Sequence, residues 1–162
     1  MLQKAVKFAG IKHQGQVRRA TGLPYIVHPV DVSILLDSNK TSKRREELMC
    51  ACLLHDTLED TDTTFVELAT EFNPMVASLV LDLTSDPEEI KKIGKTAYLT
   101  KKMIGMSNYA LIIKLCDRLS NVMDSPRPKY LDSTREILDA LEAARNLTAS
   151  QARVVTKIRA FL

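Results

Sequence analysis

Tryptophan is absent from this sequence, and only four phenylalanines and four tyrosines occur among its 162 residues. A core so short of aromatics must be filled by Leu, Ile, Val, Ala and Met, a set that favours helices over a β-sandwich. Cysteine is scarce as well. Cys50, Cys52 and Cys116 are an odd number without metal-type CxxC spacing, and they read as small core residues of a protein kept in a reducing compartment. No apolar run approaches the length of a bilayer span, and Met1-Leu2-Gln3-Lys4 opens an amphipathic segment instead of a signal peptide, so the cytoplasm is expected and no membrane contact. Neither sign of charge dominates: 23 Lys and Arg face 20 Asp and Glu, for a net charge of +3. The basic residues are interspersed with acidic ones, which argues against a nucleic-acid partner.

What is present is helical periodicity. With 45% hydrophobic content the chain can bury one sizeable core, and residues 1–162 read as a single domain. Apolar residues recur at three- and four-residue spacing at Val6 and Ala9, at Val30 and Ile34, and at Leu48 and Cys52. Pro24-Tyr25-Ile26-Val27 is the one short extended candidate. Breakers set the boundaries. The Thr21-Gly22-Leu23-Pro24 cluster closes the first helical region, and Thr64-Phe65-Val66-Glu67 is a capping box for a helix that stops before Asn73-Pro74. Asp86-Pro87-Glu88-Glu89 predicts one long helix to about Gly105. Asn108 is a candidate cap for the next helix, Ser125-Pro126-Arg127-Pro128 breaks the chain, and Thr148-Ala149-Ser150-Gln151 starts the last helix.

Leu53-Leu54-His55-Asp56-Thr57-Leu58-Glu59-Asp60 carries more charge than an ordinary core helix tolerates. Imidazole nitrogen with carboxylate oxygen suits a divalent cation such as Mn²⁺, Fe²⁺ or Zn²⁺. A helix running through the stretch would put His55 and Glu59 on one face and Asp56 and Asp60 on the next. Alone, the octapeptide reads equally well as a helix-end His followed by solvated carboxylates. His28, before Pro29, is a second imidazole at a helix start. Lys114, Asp117, Asn121 and Asp124 fall along one stripe of an otherwise apolar helix, where a buried Asp needs a cation, an Arg or several donors. Combined, His28, His55, Asp56 and Asp117 make a two-His, two-Asp set with room for water and substrate.

His13-Gln14-Gly15-Gln16, Tyr25-Ile26-Val27-His28-Pro29, Leu54-His55-Asp56-Thr57-Leu58-Glu59-Asp60-Thr61 and Lys114-Leu115-Cys116-Asp117-Arg118-Leu119-Ser120-Asn121 occur in this order. In these blocks the chain resembles the HD-domain phosphohydrolases, and within them the hydrolase domain of the RelA/SpoT homologues, stand-alone small alarmone hydrolases included. The resemblance covers roughly the first four-fifths of the chain. It implies an all-α, compact HD-domain bundle of about eight helices, with a helical C-terminal extension over about 130–162. It also implies Mn²⁺-dependent removal of pyrophosphate from the 3′ position of (p)ppGpp, yielding GDP or GTP. The metal ligands would be His28, His55, Asp56 and Asp117, with Glu59 and Asp60 orienting and deprotonating the attacking water. Arg18 or Arg19 would meet the substrate's phosphates and base, since guanidinium suits both. Asn121 would lie near the sugar, and Lys129 and Tyr130 could close over the phosphates. His13 is expected to bond the following loop instead of serving as a ligand, and Lys114 is left between supporting the site and decorating the stripe.

Two positions depart from the family pattern. Leu23 stands where a Glu is common and Ser120 where a His is common; neither removes a proposed ligand, but both touch on base preference. The partner is a small nucleotide, and the oligomeric state is left open. No synthetase or regulatory sequence follows within these residues, so hydrolysis alone is expected. The alternatives are another nucleotide substrate, such as an adenine alarmone or the 2′-phosphate of NADPH, a catalytically inactive nucleotide-binding HD module, and a non-enzymatic helical adaptor.

Overall fold

The structure, a computed structural model, describes residues 1–124 and 126–162. Among the described residues it is all-α, with eleven helices and one isolated antiparallel bridge between Val17 and Pro24. The chain forms two units, Met1–Thr84 and Ser85–Leu162. The helices outnumber the eight or so expected, in part because two stretches that are helical by periodicity are each cut in two.

The first unit contains α1 (Leu2–Lys12), α2 (Val27–Asn39), α3 (Arg45–Leu54), α4 (Thr57–Asp60), α5 (Phe65–Glu71) and α6 (Pro74–Leu83). α3 is its centre and packs against α1, α2 and α6. After a charged first turn, Leu48 and Cys50 through Leu54 are all buried, the all-round apolarity of a helix enclosed on several sides. Each such leucine contributes roughly 1.5–3 kcal/mol by leaving water. The capping box on α5 forms as the sequence predicts: Thr64 accepts from the Glu67 amide, and Glu67 accepts in return from the Thr64 amide. Asn73 caps α6 with Pro74 in its first turn.

Residues 13–26 form a tight loop between α1 and α2. The Arg18 amide donates to the Leu23 carbonyl at 2.8 Å, and the Gly22 amide, at φ 72°, donates back to the Arg18 carbonyl at 2.8 Å. Of the extended candidate Pro24–Val27, only Pro24 joins the bridge. Tyr25 and Ile26 are already turning, with the His28 amide on the Tyr25 carbonyl at 3.0 Å, because the fixed φ of proline opens a turn as readily as it ends a strand.

The second unit contains α7 (Pro87–Ile93), α8 (Lys95–Gly105), α9 (Asn108–Met123), α10 (Pro128–Ala144) and α11 (Ala149–Arg159). α9 packs on α11, and α8 on α7 and α10. The long helix expected from Asp86 is interrupted at Gly94, whose φ of 85° no right-handed helix accommodates. Its start is as expected, with Asp86 accepting from the Glu88 and Glu89 amides. Ser107, not Asn108, caps α9 by accepting from the Ala110 amide. The Asn108 carboxamide is instead an acceptor for Arg145 at 2.8 Å, and Arg145 also donates to the Ile104 and Met106 carbonyls that end α8. The expected break before α10 shows as non-helical Pro126 and Arg127, while Ser125 lies outside the described residues. Thr148 and Gln151 form the expected capping box on α11.

All three cysteines are free and buried, as expected of core residues. Burial pushes the Cys50 thiol up to about 11 and the Cys116 thiol up to about 12. Among the described residues no helix is long and apolar enough to cross a membrane.

Candidate metal centre

The His-Asp pair sits where α3 ends. Two side chains take the carbonyls that a continuing helix would use: His55 Nδ1 lies 2.7 Å from the Cys52 oxygen, and Thr57 Oγ1 donates to the Leu54 oxygen at 2.7 Å. Side chains competing for backbone acceptors stop a helix. The chain then restarts as α4, with the Asp60 amide on the Asp56 carbonyl at 2.9 Å. The helix therefore does not run through the octapeptide. The shared face expected of His55 with Glu59 is interrupted by the turn, which leaves His55 on α3's end and Glu59 and Asp60 on α4, while Asp56 keeps its helical spacing to Asp60 as the cap of α4.

The bond to the Cys52 carbonyl has a chemical consequence. It places the proton of neutral His55 on Nδ1 and leaves Nε2 with a lone pair, the arrangement that metal-ligating imidazoles use. That Nε2 lies 3.0 Å from Asp56 Oδ2, and His28 Nε2 lies 3.9 Å from the same oxygen. A neutral imidazole lone pair facing a carboxylate oxygen at that distance calls for a positive charge between them. One donor atom from each of His28, His55 and Asp56 falls within 4.8 Å of the others, and the two imidazole rings meet edge to face at 5.3 Å. Both histidines are at most 2% exposed. Two nitrogens and an oxygen fit a borderline divalent cation.

The loop before α2 braces this cluster. His13 Nδ1 donates to Gln16 Oε1 at 2.8 Å, and Gln16 Nε2 donates to the Asp60 carbonyl at 2.9 Å. His13 is thus a loop-bonding residue, as the sequence suggests. Tyr25 donates its hydroxyl to Asp56 Oδ2 at 2.6 Å, and the Arg18 guanidinium lies over its ring at 6.0 Å. Arg19 is exposed on the same loop, and Glu59 and Asp60 are exposed on α4. Partial burial, reinforced by the Asp56 and Glu59 charges and opposed by His13 and His55, holds the Asp60 carboxyl above the usual aspartate value.

In the second unit, the stripe on α9 is a hydrogen-bonded group. Lys114 Nζ lies 2.9 Å from Asp117 Oδ2, and Asn121 Nδ2 donates to Asp117 Oδ1 at 2.6 Å. Lys114 therefore supports the carboxylate. Tyr130 bonds the Asn121 side chain, and burial raises its phenol above the ordinary value. Lys129 beside it is exposed.

The HD domain family matches residues 5–145, a span that runs through both units. This chain belongs to the HD domain family. Within it, the chain is similar to the guanosine-3′,5′-bis(diphosphate) 3′-pyrophosphohydrolase of Aquifex aeolicus, 37% identical over 154 residues that cover 84% of this chain and 20% of that protein. It is also similar to MESH1 enzymes of the same description. The Danio rerio protein is 38% identical over 128 residues, covering 78% of this chain and 70% of that one, and the Homo sapiens protein is 35% identical with the same coverage. The chain thus spans a fifth of the bacterial relative and more than two thirds of the animal ones. A solved metazoan orthologue of SpoT, described as hydrolysing ppGpp, superposes with a TM-score of 0.82 at 26% identity, over 99% of this chain and 92% of that one. The HD-domain assignment and the RelA/SpoT resemblance thus agree.

Sequence reasoning assigned no role to Tyr25, Gln16, Arg118 or Thr134. Arg118 is 4% exposed; its Nη1 donates to Thr134 Oγ1 at 2.7 Å and its guanidinium lies over the Tyr130 ring at 5.2 Å. The available signal was an aromatic with a polar handle three residues before His28, and an always-charged side chain inside an apolar helix.

Proposed function

We propose that this HD-domain chain hydrolyses the 3′-pyrophosphate of guanosine alarmones, converting (p)ppGpp to GDP or GTP and pyrophosphate. The observation that carries the reading is the convergence of His28, His55 and Asp56 within 4.8 Å, followed at once by Glu59 and Asp60. Relatives of the same description, one of them matched over most of its length, agree with it. Residues 1–162 are taken to work as one hydrolase domain. Asp117 is proposed as the fourth ligand, and the free, buried cysteines suit a reducing cytoplasm. The cation is proposed to be Mn²⁺, for which mixed imidazole and carboxylate donors are suited; it would supply positive charge to the scissile phosphate and lower the pKa of water.

The chain's own residues do the rest. Glu59, exposed beside the cluster, accepts the proton of the attacking water. The water oxygen bonds to the phosphorus on O3′, the P–O3′ bond breaks with its electron pair on O3′, and that oxygen takes up a proton from solvent as Glu59 releases its own, so that the proton count closes. Asp60, with its proton affinity raised, sits next to Glu59 and retains a proton more readily than an ordinary aspartate. Arg18 is held on the Tyr25 ring, from where a planar guanidinium can pair with phosphate and stack on a purine. Arg19, Asn121, Lys129 and Tyr130 are the other substrate contacts of this reading.

The test is turnover of a nucleotide panel by purified protein with Mn²⁺. Release of pyrophosphate from ppGpp is expected; preferred turnover of NADPH or of an adenine alarmone would overturn the guanosine assignment. Glu59→Gln should retain Mn²⁺ and lose at least about a hundredfold in turnover. Unchanged turnover removes Glu59 from the reaction.

A further inference from the structure

We infer that Tyr25 is the positioning residue of the first unit's site: its hydroxyl fixes the Asp56 carboxylate for the cation while its ring carries Arg18, so one side chain aligns both the cation ligand and a substrate-facing charge. The inference rests on the cation-site reading above and adds to it a residue outside the ligand set.

Three observations carry it. The first is the hydroxyl. At 2.6 Å from Asp56 Oδ2, it makes the short contact typical of an O–H donor to a charged acceptor. The oxygen it holds is the one that faces both His55 Nε2 and His28 Nε2. With the phenol donating to it, the carboxylate loses its freedom to rotate about χ2. Outer hydrogen bonds of this kind orient ligands and set metal affinity.

The second observation is how the ring is held. His13 packs against it at 4.8 Å and His28 meets its edge at 5.9 Å. His13 cannot swing away, because its Nδ1 is bonded to Gln16, which is itself anchored on the Asp60 carbonyl. Tyr25 is thereby fixed from the α4 side as well as from α2. The third observation is the remaining surface of the ring, over which the Arg18 guanidinium lies at 6.0 Å. A cation on an aromatic face is held in direction by the ring, so the ring sets where the Arg18 guanidinium lies. Motion of the ring would move Asp56 and Arg18 together.

The test separates the two jobs. Mn²⁺ affinity is measured by electron paramagnetic resonance without nucleotide, and kcat and KM are measured separately at saturating Mn²⁺. Tyr25→Phe keeps the ring and removes the hydroxyl. It should weaken Mn²⁺ binding by about 10- to 100-fold, leave KM for the nucleotide unchanged, and recover kcat when Mn²⁺ is raised. Tyr25→Leu removes the ring as well and should also raise KM. A merely structural tyrosine would lower the melting temperature without this split. As a check that needs no variant, adding Mn²⁺ to the unaltered protein should produce a tyrosine difference band in the near ultraviolet. Wild-type Mn²⁺ affinity in Tyr25→Phe, or no tyrosine band, overturns the inference. Absence of ppGpp turnover alongside intact Mn²⁺ effects would instead overturn the substrate reading alone, and a wild-type protein that binds no Mn²⁺ removes both.

Discussion

Thr134→Val should destabilise the protein more than Arg118→Met, although the second change removes the larger and charged side chain. Thr134 is fully buried and accepts from Arg118 Nη1 at 2.7 Å while donating to the Tyr130 carbonyl at 2.7 Å. Valine is nearly isosteric, so no cavity opens. What is lost is a bond to a charged group, worth about 1.5–3 kcal/mol, and a neutral one worth about 0.5–1.5 kcal/mol, for a total of about 2–4.5 kcal/mol. Most of that is the cost of leaving a buried guanidinium short of an acceptor, and among the described residues its Nε already has no hydrogen-bond partner. Arg118→Met forfeits the same bond and a ring contact of about 0.5–2 kcal/mol, but it also removes the charge that had to be desolvated. Replacing a buried ion by an apolar side chain is often neutral or stabilising, so a net change under about 1 kcal/mol is expected. In the Arg118→Met background, Thr134→Val should cost only its neutral bond, about 0.5–1.5 kcal/mol. The assay is urea unfolding of the four proteins by far-ultraviolet circular dichroism, compared at constant m. Equal costs for the two single changes, or strict additivity in the double variant, would refute the reasoning.

Asp60→Asn tests the electrostatics of α4. Its carboxyl is held above 3.8 by burial and by the Asp56 and Glu59 charges, and a raised carboxyl pKa favours the fold only while the group is protonated. That advantage is complete below the unfolded value and lost as pH rises through the folded one. The substitution should therefore raise the melting temperature of the metal-free protein at neutral pH, with the gain vanishing in acid; a gain that persists in acid contradicts this cause. Gly94→Ala tests the break between α7 and α8: no atom lies within 4 Å of an added Cβ, so the whole cost is the φ of 85°, roughly 1–2 kcal/mol. An unmoved urea midpoint would show that the glycine is not needed there.

Local grammar was legible in the sequence, and long-range partnership was not. The capping boxes of Thr64 with Glu67 and of Thr148 with Gln151, and the Asp86-Pro87 start, need only residues within one turn of each other. The cluster of His28, His55 and Asp56 was also legible, because the residue types announce their chemistry. The interruption at Gly94 was hidden by a hydrophobic period that continues across it, and Ser107 was passed over for a neighbouring Asn with the same capping ability. The end of α3 was obscured in another way: it depends on His55 and Thr57 capturing backbone carbonyls, a choice that an apolar run does not encode. Tyr25 finds Asp56 across 31 residues and Arg118 finds Thr134 across 16. Nothing in the spacing of either pair marks it.

The placement of the two buried imidazoles does follow from chain lengths once the helices are known. α2 and α3 pack together and are joined by residues 40–44. His28 lies twelve residues before Lys40, and His55 lies eleven after Arg44. In a helical hairpin, positions equally far from the connection lie level, and one residue of difference is only about 1.5 Å along the axis. Both imidazoles thus arrive at the open end of the hairpin, where the rings meet at 5.3 Å. That end is also where backbone groups are unsatisfied: α3 offers the Cys52 carbonyl, which His55 uses to orient its ring. Had the same residues lain in mid-helix, those carbonyls would have been spent on amides, and no backbone acceptor would have been available to set the tautomer. The helix termini thus give the cluster both its alignment and the tautomer of His55, and the interior of α3, buried at Leu48 and from Cys50 to Leu54, supplies the rigidity that keeps them in register.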